Sequence, residues 1–170
     1  TGGGSAILPT PAIGGVGLMD DYAKMATIGF KAEDELIFVL GQYGTELGQS
    51  LYLREIHGQE AGDPPKVDLE REVRHGVLIR DLIANGITQT VHDISDGGVL
   101  VAIAEMYLAS KGEFGLFIED FESNEAGHYF SECQGVYVVA VSEEQSELLK
   151  AKATEAGVPC QYHGYLTEKS

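Results

Sequence analysis

Apolar positions along this chain fall into two spacings, short β-branched runs and longer stretches with a helical period, and glycine or proline separates most of them. From Thr88 onward they alternate in type. Ile87-Thr88-Gln89-Thr90-Val91 predicts a strand, and Val99 to Ser110, whose only charged residue is Glu105, predicts a buried helix. Strands over Phe114 to Glu119 and Gly135 to Val141, a helix over Glu143 to Ala156 and a strand over Gln161 to Leu166 complete the series. This βαββαβ order predicts an α+β fold with a ferredoxin-like core. Val136 to Val141 is apolar on both alternating faces, so it should be a central strand covered on both sides, in an α/β/α layered arrangement. Ser142 with Gln145 predicts a capping box for the second helix, which Gly157 and Pro159 end.

Upstream the pattern is less regular. Residues 1 to 21 are rich in glycine and proline, and Ile7 to Leu18 is apolar without a period, which predicts an extended arm needing a surface to pack on. Residues 22 to 170 should then form the folded domain. Met25 to Phe30 and Leu36 to Leu40 predict two strands joined by a turn carrying Lys31, Glu33 and Asp34. A glycine-bearing stretch, Gly41 to Gly48, precedes a short helix over Ser50 to Ile56. Asp68 predicts the N-cap of a longer helix with Leu69, Val73 and Val77 on its apolar face, closed by Asn85-Gly86.

Between the Thr88 strand and the helix that follows it stands His92-Asp93-Ile94-Ser95-Asp96-Gly97-Gly98, two carboxylates and a glycine pair at the kind of turn where α/β proteins hold ligands. Two readings stay open for it. In the first, Asp96 or Ser95 caps the helix and Gly97 and Gly98 relieve crowding. In the second, His92, Asp93, Ser95, Asp96, Gly97 and Gly98 contact a ligand, and electrostatics limits which. Helix amides and dipole favour an anion by about 0.3–1 kcal/mol, or ~2 when partly buried, whereas two aspartates ~5 Å away would each oppose a dianion by roughly 2–7 kcal/mol. Repulsion wins over attraction. A nucleotide at this turn would therefore come with Mg²⁺ on Asp93 or Asp96, or would present amine or hydroxyl groups. Phe130-Ser131-Glu132-Cys133-Gln134-Gly135, just ahead of the central strand, adds Glu132 and Gln134 as contact candidates or as plain turn residues.

Composition narrows the function. With 11 basic and 27 acidic residues the net charge is -16, which excludes a nucleic-acid backbone or an anionic membrane as partner unless basic residues cluster, and none do. No apolar run reaches membrane-spanning length and no signal-peptide pattern opens the chain, so a cytoplasmic location is expected. Cys133 and Cys160 lack metal-ligand spacing and are expected as reduced thiols, and the histidines lack zinc-binding pairs. Thr1-Gly2-Gly3-Gly4-Ser5 reads as a linker, a cloning scar or a cut inside a longer protein.

Four ordered stretches carry a resemblance: Ile7-Leu8-Pro9-Thr10-Pro11 with Gly14-Gly15-Val16-Gly17; Leu47-Gly48-Gln49-Ser50-Leu51-Tyr52-Leu53; the His92 to Gly98 turn with Ala104-Glu105-Met106; and Phe130 to Gly135 with Tyr137-Val138-Val139. Over residues 6 to 168 the chain resembles the C-terminal portion of synthetases of the phosphoribosylformylglycinamidine synthase family, a C-type domain of the aminoimidazole ribonucleotide synthetase superfamily. The resemblance implies an ATP- and Mg²⁺-dependent ligase that converts formylglycinamide ribonucleotide to the amidine with glutamine-derived ammonia. It further implies upstream domains of the same polypeptide, a glutaminase subunit and a small accessory subunit as partners. Catalytic residues are expected in none of these 170 residues, nor a tightly bound cofactor, because the family's catalytic histidine, main Mg²⁺ ligands and most nucleotide contacts precede Thr1. The chain alone is expected to be inactive. The alternatives are the same domain of a sister enzyme, aminoimidazole ribonucleotide or selenophosphate synthetase, and a non-catalytic assembly module. Cys133 stands where the family commonly has serine, and Val136 where it often has arginine.

Overall fold

A computed structural model describes residues 11–42, 44–119 and 125–169. The first ten residues of the expected arm, with the start of its Pro-Thr-Pro motif, lie outside the described residues. Five strands, β1 (Leu36–Leu40), β2 (Thr90–Asp93), β3 (Phe114–Ile118), β4 (Tyr137–Val141) and β5 (Cys160–Glu168), form one sheet in the order β2-β4-β1-β5-β3. Five helices accompany them: α1 (Leu51–His57), α2 (Leu69–Ala84), α3 (Gly98–Ala109), α4 (Ala126–Phe130) and α5 (Glu143–Glu155).

The α+β class and the βαββαβ succession of β2, α3, β3, β4, α5 and β5 are as the sequence predicts. The early strand β1 lies inside that core. It pairs antiparallel with both β4 and β5, so β4-α5-β5 is a split βαβ whose parallel strands flank β1. The other crossover, β2-α3-β3, joins the two edges of the sheet. The four ladders between these strands are all antiparallel.

Alternation explains the layers. Ile37 and Val39 of β1 and Val138 and Ala140 of β4 face α3, where Val99, Ala102, Ile103 and Met106 complete one apolar core. Phe38, Leu40, Val139 and Val141 face the other way and meet Leu78, Ile79 and Leu82 of α2 and Leu149 and Ala153 of α5. The sheet is thus covered on both sides, and β4 is buried as expected.

Four local expectations are corrected. Met25 to Phe30 is not a strand: Thr27 alone bridges Thr90, after which Gly29 lies against the carbonyl of Ala109 and Phe30 N–H donates to Ser110 Oγ (2.8 Å), turning the chain onto the end of α3. Asp68 caps α2, yet that helix buries His75, Leu78, Ile79 and Leu82. Leu69, Val73 and Val77 instead point to solvent, at 74%, 67% and 48% exposure, because the second set fills the helical period more completely and lies above the sheet. Ser142 makes no side-chain cap; its carbonyl accepts from Gln145 N–H while Ser146 Oγ donates to Glu143 O. Neither Ser95 nor Asp96 caps α3, whose N-cap is Gly97 in the left-handed region.

Residues 11–21 belong to no helix or strand and are exposed, Ile13, Val16 and Leu18 almost completely. Asp21 then caps the single 3-10 turn Tyr22–Lys24.

Candidate functional site

The turn after β2 is built by an unusual pair. Ile94 is buried and its N–H donates to Val136 O (2.8 Å), anchoring the turn to the start of β4, and Gly97 and Gly98 follow with φ of 83° and 77°. Only glycine is at ease there. A Cβ on Gly98 would lie 2.6 Å from Phe130 Cα and 2.7 Å from Tyr129 O, so the glycine lets the end of α4 close on the first turn of α3.

The missing cap of α3 comes from elsewhere in the chain. Glu132 Oε1 accepts from Gly97 N–H and from Leu51 N–H, both at 2.8 Å, and so joins the starts of α3 and α1. Around it the segment 126–133 holds the loop before α1. Ser131 Oγ donates to Glu46 O (2.8 Å), Gly44 N–H donates to Cys133 Sγ (3.0 Å), and Gly127 packs against the backbone of Thr45. Tyr52 of α1 stacks on Phe130, with ring centroids 4.7 Å apart and planes 13° from parallel. From the other side of the sheet, buried His75 donates from Nδ1 to Gly135 O (2.7 Å), since the carbonyl can only accept.

Three of the four sequence stretches, around Leu47 to Leu53, His92 to Gly98 and Phe130 to Gly135, therefore meet as one surface. Asp93, Ser95, Asp96 and Gln134 are exposed on it, and Gly97 and Gly98 are buried beneath it. His92, with its side chain 13% exposed, lies between two carboxylates, Nε2 2.9 Å from Glu105 Oε2 and Nδ1 3.3 Å from Asp93 Oδ1. Burial first, then the carboxylates of Glu72 and Asp93, push the Tyr137 phenol up. On the facing helix the Arg54 guanidinium is held above its ordinary range, chiefly by its bond to Glu55, with Glu60 and Asp96 adding to the effect.

Among the described residues no three His, Cys, Asp or Glu side chains are grouped to hold a metal ion. Asp93 and Asp96 offer separate, exposed carboxylates, which suits Mg²⁺ only when phosphates and water complete its shell. No catalytic step is assigned to a metal on these residues. Cys133 and Cys160 are free thiols, and burial pushes Cys160 up to about 11, which keeps it protonated and unreactive near neutrality.

Two features of this surface escaped the sequence reading. Glu105 as the partner of His92 has a visible signal, being the single charge in α3. The double acceptor role of Glu132 has none, because its donors lie 81 and 35 residues away.

Compared with known proteins, residues 31–170 match the family described as AIR synthase related protein, C-terminal domain. The chain is 50% identical over 159 residues to phosphoribosylformylglycinamidine synthase subunit PurL of Rhodopseudomonas palustris (strain TIE-1), covering 92% of this chain and 21% of the relative. It is 57% identical over 139 residues to the same subunit of Novosphingobium aromaticivorans, covering 82% of this chain and 19% of the relative. The chain thus spans about a fifth of the length of the curated relatives it matches. Among solved structures, T. maritima PurL complexed with FGAR superposes with a TM-score of 0.71 at 16% identity, over 86% of this chain and 26% of that one. E. coli HypE, a hydrogenase maturation protein, superposes with a TM-score of 0.60 at 17% identity, over 86% of this chain and 47% of that one. At such identities the structural likeness speaks for the fold alone.

Proposed function

The chain belongs to the family of AIR synthase related proteins, through their C-terminal domain, and from that premise we propose that it acts as the last domain of the synthetase subunit of phosphoribosylformylglycinamidine synthase. The observation that carries the reading is the identity of about half of its positions, over nearly the whole chain, to relatives of that name. On this reading residues 22–170 form the domain and residues 1–21 an arm between domains. The complete enzyme would use ATP and Mg²⁺ to activate the amide oxygen of formylglycinamide ribonucleotide by phosphorylation, after which ammonia released from glutamine displaces phosphate to give the amidine.

The part played by these residues is contact rather than chemistry. His92, Asp93, Ser95, Asp96, Gly97, Gly98, Glu132 and Gln134 would form a substrate-facing or interdomain surface, with Asp93 or Asp96 available to a phosphate-bound Mg²⁺. Upstream domains of the polypeptide, a glutaminase subunit and a small accessory subunit would be the partners, in the cytoplasm. Two aspartates on an exposed turn suit a ligand that brings its own cation or hydroxyl groups, which supports the reading.

A segment exchange tests it. Replacing the corresponding C-terminal segment of a PurL relative with residues 22–170 should restore growth of a purine auxotroph without added purine. Failure of a soluble, full-length chimera to do so would count against the assignment. The 170-residue chain by itself should form no amidine from ammonia and ATP. Measurable turnover would mean that the chemistry lies within it.

A further inference from the structure

Among the described residues, Glu132 is the side chain that hydrogen-bonds to both helix starts at the candidate surface. A single carboxylate oxygen accepts from the first amide of α1 and from the N-cap amide of α3, each at 2.8 Å. Neither donor has another partner available in its own helix, since the opening N–H groups of a helix have no carbonyl to reach. The N-cap of α3 is a glycine, and no neighbouring side chain caps that helix. α1 carries Tyr52 and Arg54, and the α3 turn carries Asp96 and, just before it, His92 and Asp93. Of the remaining contacts between these segments, those through Ser131, Cys133 and Gly127 attach to the loop ahead of α1, and the stack of Tyr52 on Phe130 reaches its first turn as an aromatic contact that supplies no acceptor to the helix amides.

We infer that Glu132 is a positioning residue: its carboxylate fixes the spacing and orientation of α1 against the His92 to Gly98 turn, so that the polar side chains of the two face a ligand as one preformed surface. This rests on the reading of that surface as a binding site in the synthetase. The role is distinct from direct contact with substrate, because it is exercised through one carboxylate oxygen on two backbone donors. Preformation of this kind acts on binding, since a surface that must be reassembled loses affinity before it loses chemistry.

The experiment has two arms. In the ¹⁵N-labelled chain, Glu132→Ala should raise hydrogen exchange at the Leu51 and Gly97 amides by about tenfold or more, while Ile37 and Val139 in the sheet keep their protection. Glu132→Gln, which retains an oxygen able to accept both bonds, should stay close to the parent. Unchanged exchange at the two amides in the alanine variant would overturn the proposal, and so would an equal loss of protection in the sheet, which would make Glu132 a general stability residue. In the complete synthetase, Glu132→Ala should raise KM for the ribonucleotide about tenfold with kcat little changed, and Glu132→Gln should restore it. Release of the two amides with an unmoved KM would overturn the binding-site reading and leave the helix spacing intact, so the two failures are distinguishable.

Discussion

Gly98 shows how much one backbone position holds at this surface. Alanine there would combine a left-handed backbone with a Cβ 2.6 Å from Phe130 Cα, whereas Gly86, with φ of 69°, opens onto empty space. Gly98→Ala is expected to cost roughly 2–5 kcal/mol and Gly86→Ala about 1–2, as read by urea unfolding. Equal costs would mean that the contact with α4 yields easily. His163 is buried in β5, and desolvation pushes its imidazole down to about 4. The folded state keeps the ring neutral while the unfolded chain takes up a proton below about 6.5, so this residue's contribution to stability is lost as pH falls from 6.5 toward 4. His163→Gln should flatten the dependence of unfolding free energy on pH across that window, and an unchanged slope would assign it to other groups.

At the scale of elements, α2 separates what the sequence makes legible from what it hides. Its start at Asp68 and end at Asn85-Gly86 are local chemistry and could be read directly. Its buried face could not, because Leu69, Val73 and Val77 and the set His75, Leu78, Ile79 and Leu82 both suit a helix, and only the sheet beneath decides between them. Leu82→Ala should accordingly cost about 2–5 kcal/mol and Val73→Ala less than about 0.5, and the reverse ranking in thermal unfolding would contradict the observed face. β1 and β4 were legible for the opposite reason: each is a short apolar run, and in β4 both alternating faces are apolar, which suits a strand covered on both sides. The Met25 to Phe30 segment misled because β-branched composition says nothing of a neighbour that captures its end, here Ser110. The candidate site was legible as separate stretches of sequence. Their assembly around Glu132 was not, since hydrogen bonds across 35 and 81 residues leave no periodic trace.

The whole molecule combines a net charge of -16 with two apolar features facing outward, the arm at Ile13, Val16 and Leu18 and the stripe on α2. A chain proposed to fold as residues 22–170 should not depend on the arm. Limited proteolysis is expected to cut first between Leu18 and Tyr22, and the trimmed protein should melt within about 2 °C of the parent. A larger fall would make the arm part of the folding unit. The place of β1 has a consequence for synthesis. The strand at the middle of the sheet is made first, its neighbours β4 and β5 lie about 100 or more residues downstream, and β5 also carries β3. A ribosome therefore extrudes Leu36 to Leu40 long before any partner exists, and the sheet closes only after Glu168 has left the exit tunnel. Folding of this domain is expected to wait for its last strand and to be slow, with its most apolar strand exposed to aggregation in the interval.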